Sequence, residues 1–309
     1  MKSCAVIYNP NSGHVFKQEY LRKYKSILNK HNFTVKFIGT QYKGHAKEIV
    51  SHLDKNLDLV ISMGGDGTFN EVMTGNLERK DPLVLAHIPV GTTNDVGVMF
   101  GYGKDIIKNL ELLLTGEVKK MDIGSINGRP FVYVAGFGKF MQIPYQTPRK
   151  LKKKYGHIAY IIEGVKDFFS PTKMYKISYE VNGIEKTGYY SFMLISNANR
   201  IAGINNFYRN VKLDDDTFEV LFCNFKRRID IIRTFALLFT MDASKISGIE
   251  FYKTNHIKVK FDDYPHKAWC VDGEQLDRAV LKYDIYNIRN VEIMMPKKNI
   301  SKNFVNQKD

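Results

Sequence analysis

The chain has 309 residues, 44% of them hydrophobic and 25% charged, which is typical of a globular protein and excludes a largely disordered one. The formal net charge of +14 indicates an acidic partner, namely nucleic acid, an anionic membrane or a phosphorylated substrate. A solvated basic surface would give the same charge. Three cysteines without a CxxC pair argue against a disulfide framework and a zinc site, and favour the cytoplasm.

The longest apolar stretch, Ile231 to Met241, is much shorter than the ~20 residues of a membrane-spanning helix and contains Arg233. The first residues run directly into a strand-like segment, so no signal peptide is expected. The polar, lysine-rich end, Lys297 to Asp309, is expected to be a loosely held tail. These features predict a cytoplasmic protein that meets a membrane only at its surface.

Strand-like and amphipathic helical segments alternate over the first 120 residues. Strands are predicted at Cys4–Tyr8, Phe33–Ile38, Leu57–Met63 and Leu83–Ile88, and helices at Phe16–Lys30, His45–Leu53 and Asp105–Leu114. Repeated βα units of this kind imply a parallel sheet with helices on both faces.

The pattern changes to β-hairpins after Met121. Asn127-Gly128 and Asn182-Gly183 each separate two β-rich runs, and Asn-Gly is a strong hairpin signal because both residues tolerate positive φ. Further β-like segments lie at Phe218–Phe222, Ile257–Phe261 and Ala279–Tyr286, with helical insertions near His157–Phe169 and Ile229–Phe239. The second half is therefore predicted to be an antiparallel β domain.

The main chemical signal is the segment Met63 to Glu71, MGGDGTFNE, which follows a buried strand and opens a helix. Its glycines allow the backbone to approach a phosphate, and the helix start adds free N–H groups and a positive dipole. Thr68 and Glu71 have capping-box spacing, which predicts the helix start. A glycine-rich turn that binds nothing is the plain alternative. Against it, Asp66 is an acid between glycines, as expected for a carboxylate that faces Mg²⁺.

Two more polar loops follow predicted strands of the same sheet. Asn9 to Gly13 (NPNSG) follows the first strand, and Pro89 to Asp95 (PVGTTND) follows the Leu83–Ile88 strand. Loops at the carboxyl ends of parallel strands converge on the ligand crevice. Either loop alone could be a plain turn, but together with the glycine-rich turn they predict a nucleotide site.

The motifs together resemble those of the diacylglycerol kinase catalytic-domain family, especially its soluble bacterial lipid kinases. They are NPNSG at 9–13, Thr40 with GHA at 44–46, GGDGT at 64–68 with NE at 70–71, GTTND at 91–95, KLDD at 212–215 and VDGE at 271–274. They occur in the family's order across almost the whole chain. GGDG alone is shared with the NAD kinases and phosphofructokinases.

The resemblance implies an N-terminal nucleotide-binding α/β domain and a C-terminal antiparallel β-sandwich, with the active site in the cleft between them. The expected boundaries are residues 1–122, with 290–309 returning to the first domain, and 123–289 for the lipid-substrate domain. The resemblance also implies that ATP is bound by Asn9, Pro10, Asn11, Ser12, Gly13, Thr40, Gly64, Gly65, Asp66, Gly67, Thr68, Phe69, Asn70, Glu71 and Thr92.

The resemblance assigns the general base to the Asp-Gly-Glu motif, where Asp272 and Glu274 are both candidates. Asp272-Gly273 also has the composition of a hairpin turn, and the residues alone favour that plain interpretation. Asp66 is expected to act beside the base by helping to place the catalytic Mg²⁺.

The family also has a structural metal site at an acidic turn that usually reads Asp-Gly. Here the turn spans Lys212 to Thr217, KLDDDT, and Asp215 matches the metal-binding carboxylate. The carbonyls of Lys212 and Thr217 match the backbone ligands, while Asp216 replaces the usual glycine. Adjacent acids favour a hard cation such as Mg²⁺, and a solvated acidic turn is the alternative.

The densest basic run is Arg149 to Tyr155, RKLKKKY, which predicts attraction to anionic lipid. No nucleic-acid-binding motif accompanies it, so nucleic acid is not expected as a partner. A solvated loop is the plain alternative. A homodimer is left open by the sequence.

The sequence therefore predicts an ATP- and Mg²⁺-dependent kinase that phosphorylates a diacylglycerol-like lipid to phosphatidic acid. One rival is a kinase of another lipid alcohol, such as sphingosine or ceramide, and another is a kinase of a soluble substrate such as NAD. A third is a non-catalytic lipid-binding protein, which would tolerate loss of Asp66, Asp272 or Glu274, yet all three are present.

Overall fold

A computed structural model describes most of the chain. The chain divides into two units. The first contains Met1–Met121 and Asn290–Asp309, and the second contains Asp122–Arg289. The described residues are 1–10, 17–91, 94–141, 143, 163, 166–198, 200–201, 204–205, 207–208, 211–238, 240–276 and 279–305.

The first unit is built on a parallel sheet. Its strands are β1 (Lys2–Tyr8), β2 (Phe33–Gly39), β3 (Leu59–Gly64) and β4 (Leu85–Pro89), with the end of β18 (Lys282–Met295) paired beside β4. The strand order is β2-β1-β3-β4-β18. Every residue of β3 and β4 is buried, as expected for strands covered on both faces.

Helices connect these strands, as the alternating pattern predicted. They are α1 (Gln18–Lys30), α2 (His45–Ser51), α3 (Asp66–Leu77), α4 (Asp95–Met99) and α5 (Ile106–Leu114). Helices α2 and α3 pack closely at Gly75, where an added Cβ would lie 2.3 Å from the carbonyl oxygen of Lys47.

His87 lies in the core of this unit, on β4. Its ring is fully buried and stacks on Phe69 of α3 with ring centroids 4.7 Å apart. Burial lowers the pKa of His87 from its ordinary 6.5 to about 3, because the charged imidazolium would lose its hydration. His87 therefore stays neutral in the folded protein over the physiological range.

The expectation of a loose tail from Lys297 is wrong for the residues up to Phe304. Lys297–Asn299 form a 3₁₀ turn and Ile300–Asn303 form the short helix α7. Asn303 is buried and donates from Nδ2 to the carbonyl of Met99 at 2.7 Å, and Phe304 is 3% exposed. One buried amide and one buried ring anchor this lysine-rich segment to the first unit.

The second unit consists mainly of antiparallel strands in two sheets. One sheet has the order β14-β13-β10-β7-β16-β17, and the other contains β18-β15-β8-β9 with β5 and β6 joined through β18. The strands not yet given are β5 (Glu117–Ile126), β6 (Arg129–Phe131), β7 (Val134–Gly138), β8 (Tyr175–Val181), β9 (Ile184–Tyr190), β10 (Phe192–Ser196), β11 (Arg200–Ile201), β12 (Ile204–Asn205), β13 (Phe218–Cys223), β14 (Ile249–Thr254), β15 (His256–Phe261), β16 (Cys270–Val271) and β17 (Glu274–Gln275).

One hydrophobic cluster joins the two sheets, which confirms the predicted β-sandwich. Phe137 of β7 packs on Phe261 of β15 with ring centroids 4.6 Å apart, and Phe222 of β13 stacks on Tyr179 of β8 at 4.3 Å. Burial along β15 alternates strictly, as expected for a strand with one face in the core.

Both predicted Asn-Gly hairpins form. Asn127 and Gly128 have φ of 48° and 82° between β5 and β6, and Asn182 and Gly183 have 50° and 74° between β8 and β9. Two consecutive positive φ values match the right-handed twist of the flanking strands, which is why this dipeptide suits the turn.

The second unit also has an apolar helix, α6 (Arg228–Leu238), close to the predicted insertion. Between β7 and β8, Phe169 is the last residue of a short described helical stretch, residues 166–169. Among the described residues, no helix combines the length and apolar character needed to cross a membrane.

Candidate active site

The described residues that directly follow the first four strands lie together at the carboxyl edge of the parallel sheet. Asn9 donates its backbone N–H to Met63, Thr40 to Tyr8 at 2.8 Å, and Val90 to Gly64 at 2.7 Å. In the strand order β2-β1-β3-β4, the connection from β1 leads to its neighbour on one side, β2, and the connection from β3 leads to its neighbour on the other side, β4. The order of the strands therefore reverses between β1 and β3. Such a switch point is where open α/β sheets bind ligands.

Two of these loops touch through their glycines. An ideal Cβ on Gly91 would lie 2.7 Å from the Cα of Gly65 and 2.8 Å from Oδ1 of Asn94. Asn94 adopts a positive φ of 52° and donates from Nδ2 to the carbonyl of Gly91 at 2.8 Å. Glycine is therefore required at 91 by the close approach of the two backbones.

Asp66 lies at the first position of α3, directly after Gly65. Its Oδ2 accepts the backbone N–H of Asp95 at 3.0 Å, and its Oδ1 accepts that of Val96 at 3.3 Å. The carboxylate thus holds the start of α4, and with it the loop that begins at Gly91. Sequence reasoning anticipated a carboxylate in the turn but not this partner.

Glu71 does not form the predicted capping box with Thr68, so that prediction is wrong. Helix α3 begins at Asp66 with Gly65 as its N-cap, which places Glu71 inside the helix. The two carboxylate oxygens of Glu71 instead accept the backbone N–H groups of Gly44 at 2.9 Å and Ala46 at 3.2 Å. Glu71 therefore caps the start of α2, the segment that follows Thr40.

The remaining residues of the glycine-rich segment differ in exposure. The side chain of Phe69 is fully buried against His87 and Phe100, and Asn70 is 7% exposed. An added Cβ on Gly64 would lie 2.5 Å from Oγ1 of Thr68. Phe69 can therefore offer a ligand only its backbone, while Gly65, Gly67 and Thr68 are partly exposed.

Several predicted residues lie outside the described residues. These are Asn11, Ser12, Gly13, Thr92 and the basic run from Arg149 to Tyr155. Asn9 and Thr40 are described and partly exposed, and Pro10 is exposed.

In the second unit, Asp272 and Gly273 form a hairpin turn between β16 and β17, with φ of 47° and 84°. The Asp272 carboxylate is buried and accepts three backbone N–H groups, from Val132 at 2.8 Å, Tyr133 at 3.0 Å and Val134 at 2.9 Å. The plain interpretation of this dipeptide as a turn is thus confirmed, and Asp272 organises the segment before β7.

Glu274 follows the same turn, on β17. Its side chain is 31% exposed, and its Oε2 accepts from Nη2 of Arg129 at 3.2 Å. Arg129 follows the Asn127-Gly128 turn, so two hairpins bring these charges together. The Glu274 carboxylate is therefore more accessible than that of Asp272.

Comparisons with known proteins agree with this architecture. The model of the diacylglycerol kinase catalytic domain matches residues 3–126. A protein of Staphylococcus saprophyticus named diacylglycerol kinase is 30% identical over 274 residues, which cover 88% of this chain and 89% of that protein. The chain belongs to the diacylglycerol kinase catalytic-domain family.

Other members of the diacylglycerol kinase family match along most of the chain. A Bacillus subtilis diacylglycerol kinase is 27% identical over 300 residues, covering 96% of this chain and 97% of that protein. A crystal structure of a Bacillus anthracis diacylglycerol kinase has a TM-score of 0.78 and 22% identity, with 97% of this chain and 99% of that chain covered. That likeness shows that the two share a fold.

The acidic turn that the family resemblance marks as a metal site lies before β13. Asp216, in the place of the usual glycine, adopts a positive φ of 58°, and its N–H donates to Oδ2 of Asp122 at 2.6 Å. Asp215 accepts from Oγ1 of Thr217 at 2.5 Å and pairs with Nζ of Lys253 at 2.6 Å. The substitution therefore keeps the left-handed turn that a glycine would supply.

Several carboxylates lie near one another at this turn, although among the described residues no group of three or more His, Cys, Asp or Glu side chains is arranged to hold a metal ion. Asp122 is buried, and burial together with the nearby carboxylates of Asp216 and Asp215 raises its pKa. A concentration of carboxylates needs a compensating charge, and oxygen ligands are those that Mg²⁺ prefers. The ammonium of Lys253 stands in for such a charge at Asp215.

Sequence reasoning missed four residues of these sites: Asp95, Asp122, Arg129 and Lys253. Asp95 ends the GTTND motif, which was a signal for its role. The partners of Asp122, Arg129 and Lys253 are 94, 145 and 38 residues away, so only tertiary structure reveals them.

Proposed function

We propose that this protein transfers the γ-phosphate of ATP to the hydroxyl group of a diacylglycerol-like lipid, giving phosphatidic acid. The observation that carries the proposal is the glycine-rich turn at the β1/β3 switch point, in a chain similar to proteins named diacylglycerol kinase. Nucleotide binding is assigned to residues 1–122 with 290–309, and lipid binding to residues 123–289.

ATP would be bound by the loops after the first four strands. The start of α3 supplies N–H groups and the positive end of a helix dipole, and the contact of Gly65 with Gly91 leaves the backbone unobstructed by side chains. The nucleotide-binding residues we propose are Asn9, Pro10, Asn11, Ser12, Gly13, Thr40, Gly64, Gly65, Asp66, Gly67, Thr68, Phe69, Asn70, Glu71 and Thr92. Glu71 would act indirectly, by positioning the start of α2, and Phe69 would offer the ligand only its backbone.

Asp66 has two proposed tasks. It holds the start of α4 through the N–H groups of Asp95 and Val96, and it would offer a carboxylate to the Mg²⁺ that accompanies ATP. Bound Mg²⁺ would neutralise charge on the phosphates. Phosphoryl transfer has a loose transition state, so positioning and charge neutralisation account for most of the catalysis.

The general base is proposed to be Glu274 rather than Asp272. Three backbone N–H groups stabilise the anionic form of Asp272 and fix it within its turn. Glu274 is partly exposed and is oriented by Arg129. Its carboxylate would take the proton from the lipid hydroxyl as the phosphoryl group is transferred.

A structural Mg²⁺ is proposed at Asp215, with the backbone carbonyls of Lys212 and Thr217. The left-handed Asp216 and the nearby Asp122 support this assignment. Its role would be to hold the turn before β13.

We also propose that the protein works at an anionic membrane surface, attached peripherally. Phe169, Ile229 and Ile232 are 61%, 57% and 52% exposed, and Ile229 and Ile232 lie on one face of α6. Arg228 donates to the carbonyl of Phe169 at 3.0 Å and lies over its ring. Exposed apolar side chains beside arginines suit the boundary between acyl chains and anionic headgroups. The basic run from Arg149 to Lys154 would add charge.

A kinase of NAD would share the GGDG turn, but that function gives no role to the exposed apolar face of α6 or to the basic run.

The experiment that tests the proposal incubates the protein with labelled ATP and separate mixed micelles of diacylglycerol, ceramide or sphingosine. We expect labelled phosphatidic acid from diacylglycerol and little product from the other lipids. Preferential labelling of ceramide or sphingosine would reassign the substrate within the lipid alcohols.

A further inference from the structure

The ammonium of Lys253 forms an ion pair with Asp215, the carboxylate that the proposed structural metal would use. Nζ of Lys253 lies 2.6 Å from Oδ2 of Asp215, and the other carboxylate oxygen accepts the hydroxyl of Thr217 at 2.5 Å. The Asp215 side chain is 17% exposed and that of Lys253 is 40% exposed. The pair is thus at the edge of the unit, where a cation from solvent can reach it.

A second acceptor for Lys253 lies across the sheet. Lys253 of β14 is directly opposite Glu219 of β13 in the antiparallel register, which places their Cβ atoms about 5 Å apart on one face. Glu219 is 3% exposed, and within the described part of the chain its Oε2 has no hydrogen-bond partner. An ammonium that left Asp215 would find this buried oxygen on the residue directly opposite, in the neighbouring strand.

The neighbouring acid has its own cation. Nε of Arg289 lies 3.0 Å from Oδ1 of Asp216, which also accepts from Asn287 at 3.2 Å. Arg289 thus neutralises Asp216, while Lys253 neutralises Asp215. The side chain of Lys253 is still 40% exposed, so a divalent cation can compete with its ammonium for Asp215.

We propose that Lys253 is a built-in competitor of the structural cation. In the absence of a divalent cation its ammonium neutralises Asp215, and when the cation binds Asp215 the ammonium moves to Glu219. This proposal rests on the metal set assigned above, Lys212, Asp215 and Thr217. It implies that the protein loses less stability at low Mg²⁺ concentration than a variant without the Lys253 ammonium.

The test measures the melting temperature of the full chain, without nucleotide or lipid, as a function of Mg²⁺ concentration at constant ionic strength. The proteins compared are wild type, Lys253→Met, Lys253→Arg and Lys258→Met. Methionine keeps most of the aliphatic stem without the charge. Lys258 is the matched control because it is also an ion-paired strand lysine, 3.2 Å from Glu180.

The Lys253→Met protein is expected to reach half of its Mg²⁺-dependent stabilisation at an about tenfold lower concentration than wild type. Lys253→Arg, which keeps the charge, and Lys258→Met should follow the wild type. If Lys253→Met folds poorly, Lys253→Gln makes the same comparison.

Equal Mg²⁺ midpoints in wild type and Lys253→Met would overturn the competition. A complete lack of Mg²⁺ response in both would overturn it together with the metal set. Because neither ATP nor lipid is present, both outcomes are independent of whether the protein phosphorylates a lipid.

Discussion

The carboxylate of Asp66 accepts the backbone N–H of Asp95 at 3.0 Å, which joins the turn after β3 to the start of α4. The same carboxylate accepts the N–H of Val96 at 3.3 Å. Two loops proposed to bind the phosphates of ATP are thus held by one side chain. A single substitution should therefore affect stability and catalysis together.

Asp66→Ala is expected to lower the free energy of unfolding by about 1 kcal/mol, the usual cost of a lost helix cap, and turnover by orders of magnitude. Denaturant unfolding and the lipid kinase assay measure the two effects. The matched control is Asp105→Ala, because Asp105 caps α5 through Ile107 and Lys108. It should cost similar stability but spare turnover. Near-normal turnover of folded Asp66→Ala would remove Asp66 from the catalytic assignment.

Glu274→Gln is expected to abolish phosphoryl transfer while ATP affinity stays within a few-fold, because the shape is kept and the basicity is lost. Its melting temperature should stay close to that of wild type. Asp272→Asn should instead lower the melting temperature. Both carboxylate oxygens of Asp272 accept backbone N–H groups, and in the variant an amide NH₂ would replace one of these oxygens and face an N–H donor. Full activity of Glu274→Gln with an inactive but stable Asp272→Asn would move the base to Asp272.

The sequence predicted local features best. The Asn-Gly hairpins formed because both residues tolerate the required φ, and Asp216 replaces a glycine for the same reason. The alternating β and α signals predicted the parallel sheet, since connections in such sheets are short and follow the chain.

Long-range partners were not predictable in the same way. Glu71 has capping-box spacing to Thr68, but its carboxylate reaches the N–H groups of Gly44 and Ala46 in another helix. Asn303 anchors a lysine-rich end through one buried amide, which composition does not reveal. Lys253 meets Asp215 only because β14 pairs with β13.

Asp215→Ala is expected to lower the melting temperature, since Lys253 would lose its partner and the turn its proposed cation. Mg²⁺ should raise the melting temperature of the wild type but not of the variant, because a ligand that binds the folded state stabilises it. The measurement is a thermal scan without nucleotide. An equal Mg²⁺ response in both proteins would place the cation elsewhere.

His87 predicts a pH dependence of stability. Its pKa is about 3 when folded and near the ordinary 6.5 when unfolded, so the unfolded chain binds a proton in this range and the folded protein does not. Stability should therefore fall as the pH decreases below 6.5, by up to about 1.4 kcal/mol per pH unit from this group. His87→Leu should reduce that slope in denaturant titrations between pH 4 and 6. The control His52→Gln changes an exposed histidine and should keep it, and an unchanged slope in His87→Leu would contradict the account.

Membrane attachment predicts a difference between two forms of the same substrate. Ile229→Ser with Ile232→Ser should weaken binding to anionic vesicles and activity on vesicle-embedded diacylglycerol, and spare activity on a short-chain, water-soluble one. Ile184→Ser is the control, since Ile184 is 50% exposed on β9.

Replacing Lys150, Lys152, Lys153 and Lys154 by Gln should likewise weaken vesicle binding and activity on vesicle-embedded diacylglycerol. A salt concentration of 1 M should release the wild type from the vesicles, because the Debye length falls to about 3 Å. Equal binding to neutral and anionic vesicles would exclude the electrostatic part.

A competition assay in a single tube distinguishes a lipid kinase from a kinase of NAD. Wild-type protein receives labelled ATP, Mg²⁺, diacylglycerol in mixed micelles and NAD in the same tube, and the products are separated between organic and aqueous phases. We expect the label to enter the organic phase as phosphatidic acid, and we expect Glu274→Gln to abolish this transfer. Label in the aqueous phase as phosphorylated NAD, with none in the lipid, would contradict it.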